Sequence, residues 1–336
     1  MHAKNFTKDV FFTKMRLKQK ITIQDIAKKA GVSACTVSRV FNKHPYVKDE
    51  VSSNVLSVAR QLDYTPKFAT VEKKIAILIN GLHSFKRPGY ENIIFYSIMK
   101  RTAELGYGVE IVPLHENKYH FERFVKGAVS LVYSPETTAM VREKTGTPIV
   151  TVNNFIPGLS HVCSDHRGGS RKAVEYLVSK GHRRIGLMLN NLVNWGDMER
   201  AKGFKSELSR NGITVEENLI STSSPRGNTL EIMAKMMRHK PTAIFAAGEN
   251  IGLEVTHALN LLNFRIPEDV SILSFENVGV SEYLTPALTT IDQGLYAIGE
   301  ETVNTLVRII EQGADGPESI VLPNQLIERD SVKNLE

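Results

Sequence analysis

The segment from Ile21 to Asn42 constrains the fold of this chain most, because it holds two short helical patterns in close succession. Its first half repeats apolar residues at helical spacing: Ile23, Ile26, Ala27 and Ala30. In its second half one arc of a helix collects Thr36, Val37, Val40 and Phe41. Two short amphipathic helices joined by a tight turn bury their apolar faces against each other, so we predict a helix-turn-helix.

Local signals define the ends of both predicted helices. Thr22 is a suitable N-cap for the first helix, with Asp25 three positions on to complete a capping box. Gly31 supplies the left-handed residue that ends this helix, and Ser33 is the N-cap of the second helix.

The second helix is expected to present a small, polar face with one arginine, formed by Ala34, Cys35, Ser38, Arg39 and Asn42. A helix that enters a DNA major groove needs small side chains at its start and hydrogen-bonding groups along its length. The alternative is an ordinary helical hairpin with a solvated face, and spacing alone leaves both open.

The charge distribution favours DNA. Residues 1–74 hold 15 Lys and Arg against 6 Asp and Glu, a net charge of +9, which leaves −3 for the other residues. A cationic module attached to a mildly acidic body is typical of proteins that bind a phosphate backbone with one end. A membrane-surface role would need a basic amphipathic helix, and the apolar faces here are used for the core.

Length and composition indicate an ordinary globular protein of two or three compact units, with 336 residues of which 42% are hydrophobic. No run of about 18 apolar residues and no signal-peptide core are present, so we expect a cytoplasmic protein without a membrane partner. Cys35 and Cys163 are expected to be free thiols. The histidines lack metal-binding spacing and no nucleotide-binding glycine motif follows a strand, so neither a metal nor a cofactor is predicted.

Four segments follow from these patterns: a basic arm (1–20), the helix-turn-helix domain (21–66, with a third helix through Val51, Val55 and Leu62), a short linker (67–74) and a body (75–336). In the body buried strands alternate with helices, beginning with the strand KIAILI. This rhythm predicts parallel sheets with helices on both faces. The predicted fold class is α/β: an all-α head followed by two Rossmann-like, doubly wound subdomains.

The stretch DIAKKAGVSACTVSRVFN resembles the DNA-binding head of the LacI/GalR (lactose-repressor/galactose-repressor) family of bacterial transcription regulators. Body segments such as DHRGGSRKAVEYLVSKGHRRIGLM and RIPEDVSILSFEN are similar to the effector domain of that family, which has a periplasmic-binding-protein-like fold. The resemblance implies that Ala34 and Cys35 read the operator and that Arg39 contacts a base or phosphate. The further DNA-binding candidates are Thr22, Ser33, Thr36, Ser38 and Asn42.

The same resemblance implies that the chain crosses between the subdomains near Cys163, Thr290 and Gly316. The expected N-subdomain is therefore 75–162 with 291–316, and the expected C-subdomain is 163–290 with 317–332. A cleft between them would bind the effector at polar residues that follow strands or open helices. These candidates are Asn153, Arg200, Gly248, Glu249, Glu276 and Gln293.

The chain departs from the family pattern at three places. Gly248-Glu249 and Glu276-Asn277 replace an Asn-Asp and an Asp-Asp pair. The expected effector is therefore a sugar or sugar derivative, and a common neutral hexose is not assumed. These acids alternatively cap helices or pair with cations of the cleft. PKFATVEKK after Asp63-Tyr64-Thr65 lacks the leucine of the family's hinge helix, so this helix is either absent or uses Phe68 or Val71 as a substitute wedge for the minor groove.

We therefore expect a repressor that binds a pseudo-palindromic operator as a homodimer and responds to a small molecule in the cleft. A regulator whose effector response has been lost or moved to a protein partner is one alternative. The other is a carbohydrate-modifying enzyme with a DNA-binding head, for which Glu249 and Glu276 are the only plausible carboxylate pair. Asp165 is expected to stabilise the start of a helix rather than to catalyse, and Cys35 to be a small side chain rather than a redox sensor.

Overall fold

A computed structural model describes residues 21–41, 46–62, 64, 73–80, 89–114, 125–223, 228–276 and 279–336, apart from the side chain of Lys144. The chain divides into two compact units, Met1–Val71 and Glu72–Glu336. The predicted arm, the hinge segment with Phe68 and Val71, and the DNA-binding candidate Asn42 lie outside the described residues. Among the described residues no helix is long and apolar enough to cross a membrane.

The first unit contains three described helices: α1 (Ile23–Ala30), α2 (Ala34–Phe41) and α3 (Asp49–Gln61). The capping box is confirmed, because the Asp25 main-chain N–H donates to Thr22 Oγ1 and the Thr22 main-chain N–H donates to Asp25 Oδ2 at 2.8 Å. Gly31 is left-handed, with φ of 68°. The three helices share one small core, formed around Ile26, Ala27, Ala30, Val37, Val40, Val55, Leu56, Val58 and Ala59.

The second unit contains two sheets, each with six described strands. The first sheet has the order β11-β5-β4-β3-β1-β2 and is parallel throughout. Its strands are β1 (Lys74–Ile79), β2 (Gly108–Pro113), β3 (Val125–Ser130), β4 (Ile149–Val152), β5 (Ser160–Ser164) and β11 (Ser319–Leu322). Helices α4 (Tyr90–Glu104), α5 (Pro135–Thr145) and α10 (Leu295–Gln312) belong to this N-subdomain.

The second sheet has the order β12-β10-β9-β8-β6-β7, with only β12 antiparallel among the described strands. Its strands are β6 (Ile185–Leu189), β7 (Ile220–Thr222), β8 (Ala243–Ala246), β9 (Ser271–Ser274), β10 (Thr289–Asp292) and β12 (Gln325–Ile327). Helices α6 (His166–Ser179), α7 (Trp195–Arg210), α8 (Thr229–Met237) and α9 (Ile251–Leu261) complete the C-subdomain. The predicted α/β architecture with two parallel-sheet subdomains is confirmed.

Burial on both faces explains why the strands are continuously apolar. In β1, Ile75, Ile77 and Ile79 enter the core cluster formed with α4 and α10, while Ala76 and Leu78 enter a separate cluster on the other face. Since successive side chains of a strand point to opposite faces, a sheet covered by helices on both sides needs apolar residues at every position.

The chain crosses between the subdomains three times, at positions that correct the prediction. It leaves the first sheet after Ser164, returns after Asp292 and leaves again at Pro323. The crossing expected near Gly316 is wrong, because Ser319–Leu322 pairs in parallel with β5 and so extends the first sheet. The crossings expected near Cys163 and Thr290 lie only one and two residues further along, because β5 runs to Ser164 and β10 to Asp292.

Helices α6 and α7 pack in unusually close contact, which positions the residues of the cleft. A Cβ atom on Gly203 would lie 2.4 Å from the Arg167 carbonyl oxygen and 2.9 Å from Ser170 Cβ. The Ser170 hydroxyl donates to the Arg200 carbonyl oxygen at 2.7 Å. The absence of a side chain at Gly203 therefore lets the two helix backbones approach, and Arg200 lies on this contact.

Gly203→Ala is expected to destabilise the second unit by about 1–3 kcal/mol. The added methyl group would clash with main-chain atoms of α6, and main-chain atoms cannot move aside by a change of rotamer as a side chain can. Urea unfolding followed by the fluorescence of Trp195, the single tryptophan, measures this change. Gly316→Ala is the matched control, since a Cβ atom there has no neighbour within 4 Å. Equal stability of the two variants would contradict the role given to Gly203.

Candidate functional site

The first candidate site is the outer face of α2. Val37 and Val40 are buried against the head core, whereas Ala34, Cys35 and Arg39 are exposed. Arg39 makes no ion pair with the part of the chain that the structure describes. Small side chains at the exposed start of a helix let it approach base edges, and an arginine side chain that makes no ion pair with the described residues can contact a base or a phosphate.

The remaining described DNA-binding candidates contribute to the helix ends. Thr22 caps α1, as described above. The Thr36 main-chain N–H donates to Ser33 Oγ at 3.0 Å, and the hydroxyl groups of these two residues lie 2.8 Å apart. Ser38 is half-buried. The cap at Ser33 fixes where α2 begins and hence which side chains face outward.

The second candidate site is the cleft between the N- and C-subdomains, lined mainly by polar and aromatic side chains. Five of the six predicted effector residues line it: Asn153, Arg200, Glu249, Glu276 and Gln293. The sequence prediction missed Tyr90, Tyr133, His166, Asn190, Asn194, Gly196, Asp197 and Phe275, which also line the cleft.

Gly248 is the predicted effector residue that does not line the cleft. A Cβ atom at this position would lie 2.5 Å from Asn190 Oδ1 and 2.8 Å from Ile251 Cγ1. The amide of Asn190, which does line the cleft, occupies the space that a side chain at 248 would need. Gly248 therefore leaves room for the amide of Asn190, which follows β6. This amide takes the place of the hydrogen-bonding side chain that the family pattern has after β8.

Arg200 is held in place by four contacts. Its Nη1 donates to the Ala247 carbonyl oxygen at 2.7 Å and to Asp197 Oδ1 at 3.2 Å, and its Nε donates to His166 Nδ1 at 3.3 Å. Its guanidinium carbon lies 4.7 Å from the centre of the Phe275 ring. Among the described residues Nη2 has no partner, so a fixed cation presents two N–H donors to the cleft.

His166 is a neutral hydrogen-bond donor in this arrangement. Burial and the positive charge of Arg200 hold the pKa of His166 well below its usual range. Because Nδ1 accepts from Arg200, we assign the ring proton to Nε2, which is buried and has no hydrogen-bond partner among the described residues. A hydrogen bond with the Asn153 main chain acts in the opposite direction on this pKa but does not outweigh burial.

Glu276 supplies an unused buried acceptor. It is 4% exposed, its Oε2 accepts from the Asn250 main-chain N–H at 2.7 Å, and its Oε1 has no partner in the described chain. Burial raises the pKa of Glu276 to about 8, although the Asn250 hydrogen bond acts in the opposite direction. Oε2 thus bonds the residue that precedes α9, since Asn250 is the N-cap of that helix.

Asn153 and Gln293 connect the two subdomains at the back of the cleft. Asn153 ends β4 in the left-handed region, with φ of 48°, and its Oδ1 accepts from the Ser164 main-chain N–H at 2.7 Å. Its Nδ2 donates to Gln293 Oε1 at 3.4 Å, and Gln293 Nε2 donates to the Phe275 carbonyl oxygen at 3.4 Å. Most hydrogen-bonding groups of these two amides are therefore already used in bonds between the strand ends.

Asp165 is an N-cap, as predicted, and its Oδ1 accepts from the Gly168 main-chain N–H at 2.7 Å. A Cβ atom at Gly168 would fall 1.9 Å from Asp165 Oδ2, so the carboxylate occupies the start of α6 closely. Asp165 does not line the cleft. Its position stabilises the helix that carries His166.

Glu276→Gln is expected to flatten the pH dependence of stability. With a pKa of 4.5 unfolded and about 8 folded, the folded state binds more protons between these values, and its stability falls as pH rises through this window. The variant lacks this titration, so its stability relative to wild type increases by up to about 4 kcal/mol between about pH 5 and pH 8.

Urea unfolding of the two proteins across this pH range, followed by Trp195 fluorescence, checks that expectation. Glu282→Gln removes an exposed carboxylate outside the cleft and is the control. A stability difference for Glu276→Gln that stays constant with pH would contradict the burial-driven titration.

Comparison with known proteins identifies both units. Residues 22–67 match the family model described as bacterial regulatory proteins, lacI family, and residues 174–332 match the periplasmic binding protein-like domain. The CelR transcriptional regulator in complex with cellobiose has a similar structure, with a TM-score of 0.69 at 24% identity over 93% of this chain and 99% of CelR. The lac repressor dimer bound to operator and the anti-inducer ONPF gives a TM-score of 0.67 at 22% identity, over 94% and 100% of the chains. At these identities the two structures establish the fold.

The HTH-type transcriptional regulator DegA of Bacillus subtilis (strain 168) is 30% identical over 336 aligned residues, which cover 94% of this chain and 99% of DegA. The relatives found are regulators, so the comparisons give no support to the enzyme alternative. Because the relationship runs through head and body alike, this chain belongs to the lacI family of bacterial regulatory proteins, the family of transcriptional regulators that its helix-turn-helix segment resembles.

Proposed function

We propose that this regulator is a repressor that binds a pseudo-palindromic operator as a homodimer and that a sugar or sugar derivative in the cleft modulates its affinity for DNA. The observation that carries the DNA-binding part is the outer face of α2, where Ala34, Cys35 and Arg39 are exposed beside a buried apolar face. The lac repressor was solved as an operator-bound dimer, which supports the same assembly here.

The cleft supports control by a small polyhydroxylated molecule. His166 Nε2 and Glu276 Oε1 are buried polar atoms without partners among the described residues, and Arg200 Nη2 is a further unused donor. Unsatisfied buried groups are costly, and a ligand rich in hydroxyl groups would satisfy them. CelR was solved with cellobiose, which supports a sugar-type ligand. These groups argue against the alternative of a cleft that has lost its effector.

Coupling between ligand and operator follows from differential affinity. A ligand that contacts α6 and α7 on one side and Tyr90 or Tyr133 on the other favours one relative orientation of the subdomains. If operator affinity differs between orientations, the two binding events are linked by about 1–3 kcal/mol.

Selection of bound sequences from random duplex DNA, repeated with a panel of sugars, tests the whole proposal. It reports the operator, its half-site spacing and the sign of the effector response together. Selection of a single asymmetric half-site, or of no consensus, would contradict the dimeric repressor.

Arg39→Ala is expected to weaken operator binding at least about tenfold, with a smaller salt dependence if Arg39 contacts phosphate and relaxed sequence preference if it contacts a base. Fluorescence anisotropy with the selected operator at several salt concentrations measures both effects. Arg238→Ala removes the same charge from an exposed position of the second unit and should leave affinity unchanged. Unchanged affinity and salt slope for Arg39→Ala would mean that α2 is not the recognition helix.

Arg200→Lys is expected to lower effector affinity at least about tenfold, since lysine keeps the charge but loses the forked donors and the contact with Phe275. Arg210→Lys, at an exposed position at the end of the same helix, is the matched control. Trp195 fluorescence with the sugar selected above measures affinity. An equal response from both variants would exclude Arg200 from ligand contact.

A further inference from the structure

Two aromatic rings, one from each subdomain, meet beside the cleft. Phe155 follows β4 in the N-subdomain, and Trp195 is the first residue of α7 in the C-subdomain. Their ring centres lie 6.2 Å apart, with 39° between the ring planes. Among the aromatic pairs of the described residues, this ring pair is the one that joins the two subdomains. Its geometry therefore depends on how the subdomains are oriented.

Each ring of the pair is held by a histidine of its own subdomain. The imidazole of His161, on β5, lies 5.2 Å from the Phe155 ring and nearly perpendicular to it. His166, on α6, meets the Trp195 ring in the same edge-to-face manner at 5.4 Å. Edge-to-face contacts at these distances are favourable. Phe155 and Trp195 are thus each supported from within one subdomain, and only the contact between them spans both.

The ring pair lies at the margin of the cleft. Asn153, two residues before Phe155, lines the cleft, and so do Asn194 and Gly196 on either side of Trp195. The two rings themselves are not among the lining residues. The Phe155 side chain is 44% exposed and Trp195 is half-buried. The ring pair can therefore influence ligand binding without touching the ligand.

The subdomains also approach each other at Gly89, which precedes α4. A Cβ atom on Gly89 would lie 3.5 Å from the side-chain amide of Asn250, which precedes α9. Polar groups that separate regain hydrogen bonds with water, whereas aromatic rings that separate expose apolar surface. Of these two contacts, the ring pair therefore contributes more to holding the subdomains together.

We propose that Phe155 and Trp195 are positioning residues that hold the two subdomains in the orientation that forms the cleft. Loss of either ring shifts the equilibrium away from this orientation by about three- to tenfold, the range expected for one aromatic pair. The consequence for DNA rests on the proposed function, in which operator affinity depends on the same orientation.

Spin–spin distance measurements on the full-length protein test the orientation without DNA or ligand. A spin label at Arg238→Cys in the C-subdomain is combined with one at Glu143→Cys or at Lys126→Cys in the N-subdomain, all exposed positions. Cys35→Ser removes the exposed thiol, and Cys163 is buried and escapes labelling. Excess unlabelled protein ensures that the two distances are measured within one chain.

Phe155→Ala should shift or broaden at least one of the two distances, and Trp195→Ala should do the same. The double variant should go no further, because either ring alone has nothing to contact across the subdomains. Phe155→Tyr retains the ring and should reproduce the wild type. Val193→Ala, which shortens an 85% exposed side chain beside Trp195, is the matched control and should do likewise.

Wild-type distances in both single variants, or effects that add in the double variant, would overturn the inference. Circular dichroism establishes which variants fold, and either single variant is sufficient for the distance test if the other does not.

Operator affinity is measured separately, by fluorescence anisotropy with the selected operator on proteins that retain Cys35. Phe155→Ala and Trp195→Ala should change this affinity in the same direction by about three- to tenfold, and the double variant should match them. Changed spin distances with unchanged operator affinity would leave the role of the ring pair standing and refute only the orientation-dependent control under "Proposed function".

Discussion

The polar groups of the cleft depend on the close packing of α6 against α7. Gly203 lets the two backbones approach, and the Ser170 hydroxyl ties α6 to the Arg200 carbonyl oxygen. The same contact places the Arg200 side chain over Phe275 and brings its Nε to the imidazole of His166. Because both helices are rigid where they touch, the donors they present to the cleft are positioned before any ligand arrives.

Two opposing effects then determine the chemistry of the cleft. Removal of water favours neutral forms, which keeps His166 uncharged and raises the pKa of Glu276. Specific hydrogen bonds favour ionised forms, as the Asn250 N–H does at Glu276. At His166 burial and Arg200 act in the same direction, whereas at Glu276 burial outweighs the hydrogen bond.

The head was predictable because its determinants are local. The Thr22–Asp25 box, Gly31 and the Ser33 cap each connect residues a few positions apart, so their types and spacing identify them. The alternation of buried strands and helices likewise predicted the two sheets. Strand ends pointed to four residues that line the cleft, since parallel strands bring their carboxyl ends to one edge, and Arg200 was predicted from a helix.

What the sequence missed depends on contacts between distant segments. Asn190 fills the space beside Gly248, which no local pattern indicates. β11 joins the first sheet by pairing with a strand more than 150 residues earlier, and its short segment has no helical or strand signal strong enough to reveal this. His166 follows the N-cap Asp165, and its place in the cleft becomes visible only once α7 is packed against it.

Two of the three crossings, those after β5 and β11, lie on neighbouring strands of the first sheet, and side-chain hydrogen bonds hold the segments at all three. Asn324 Nδ2 donates to the Asp165 carbonyl oxygen at 2.7 Å, which links the third crossing to the first, while Gln293 at the second bonds Asn153 and the Phe275 carbonyl. Asn324 and Asp165 do not line the cleft, so residues that contact a ligand can be exchanged during evolution without altering this link between the crossings.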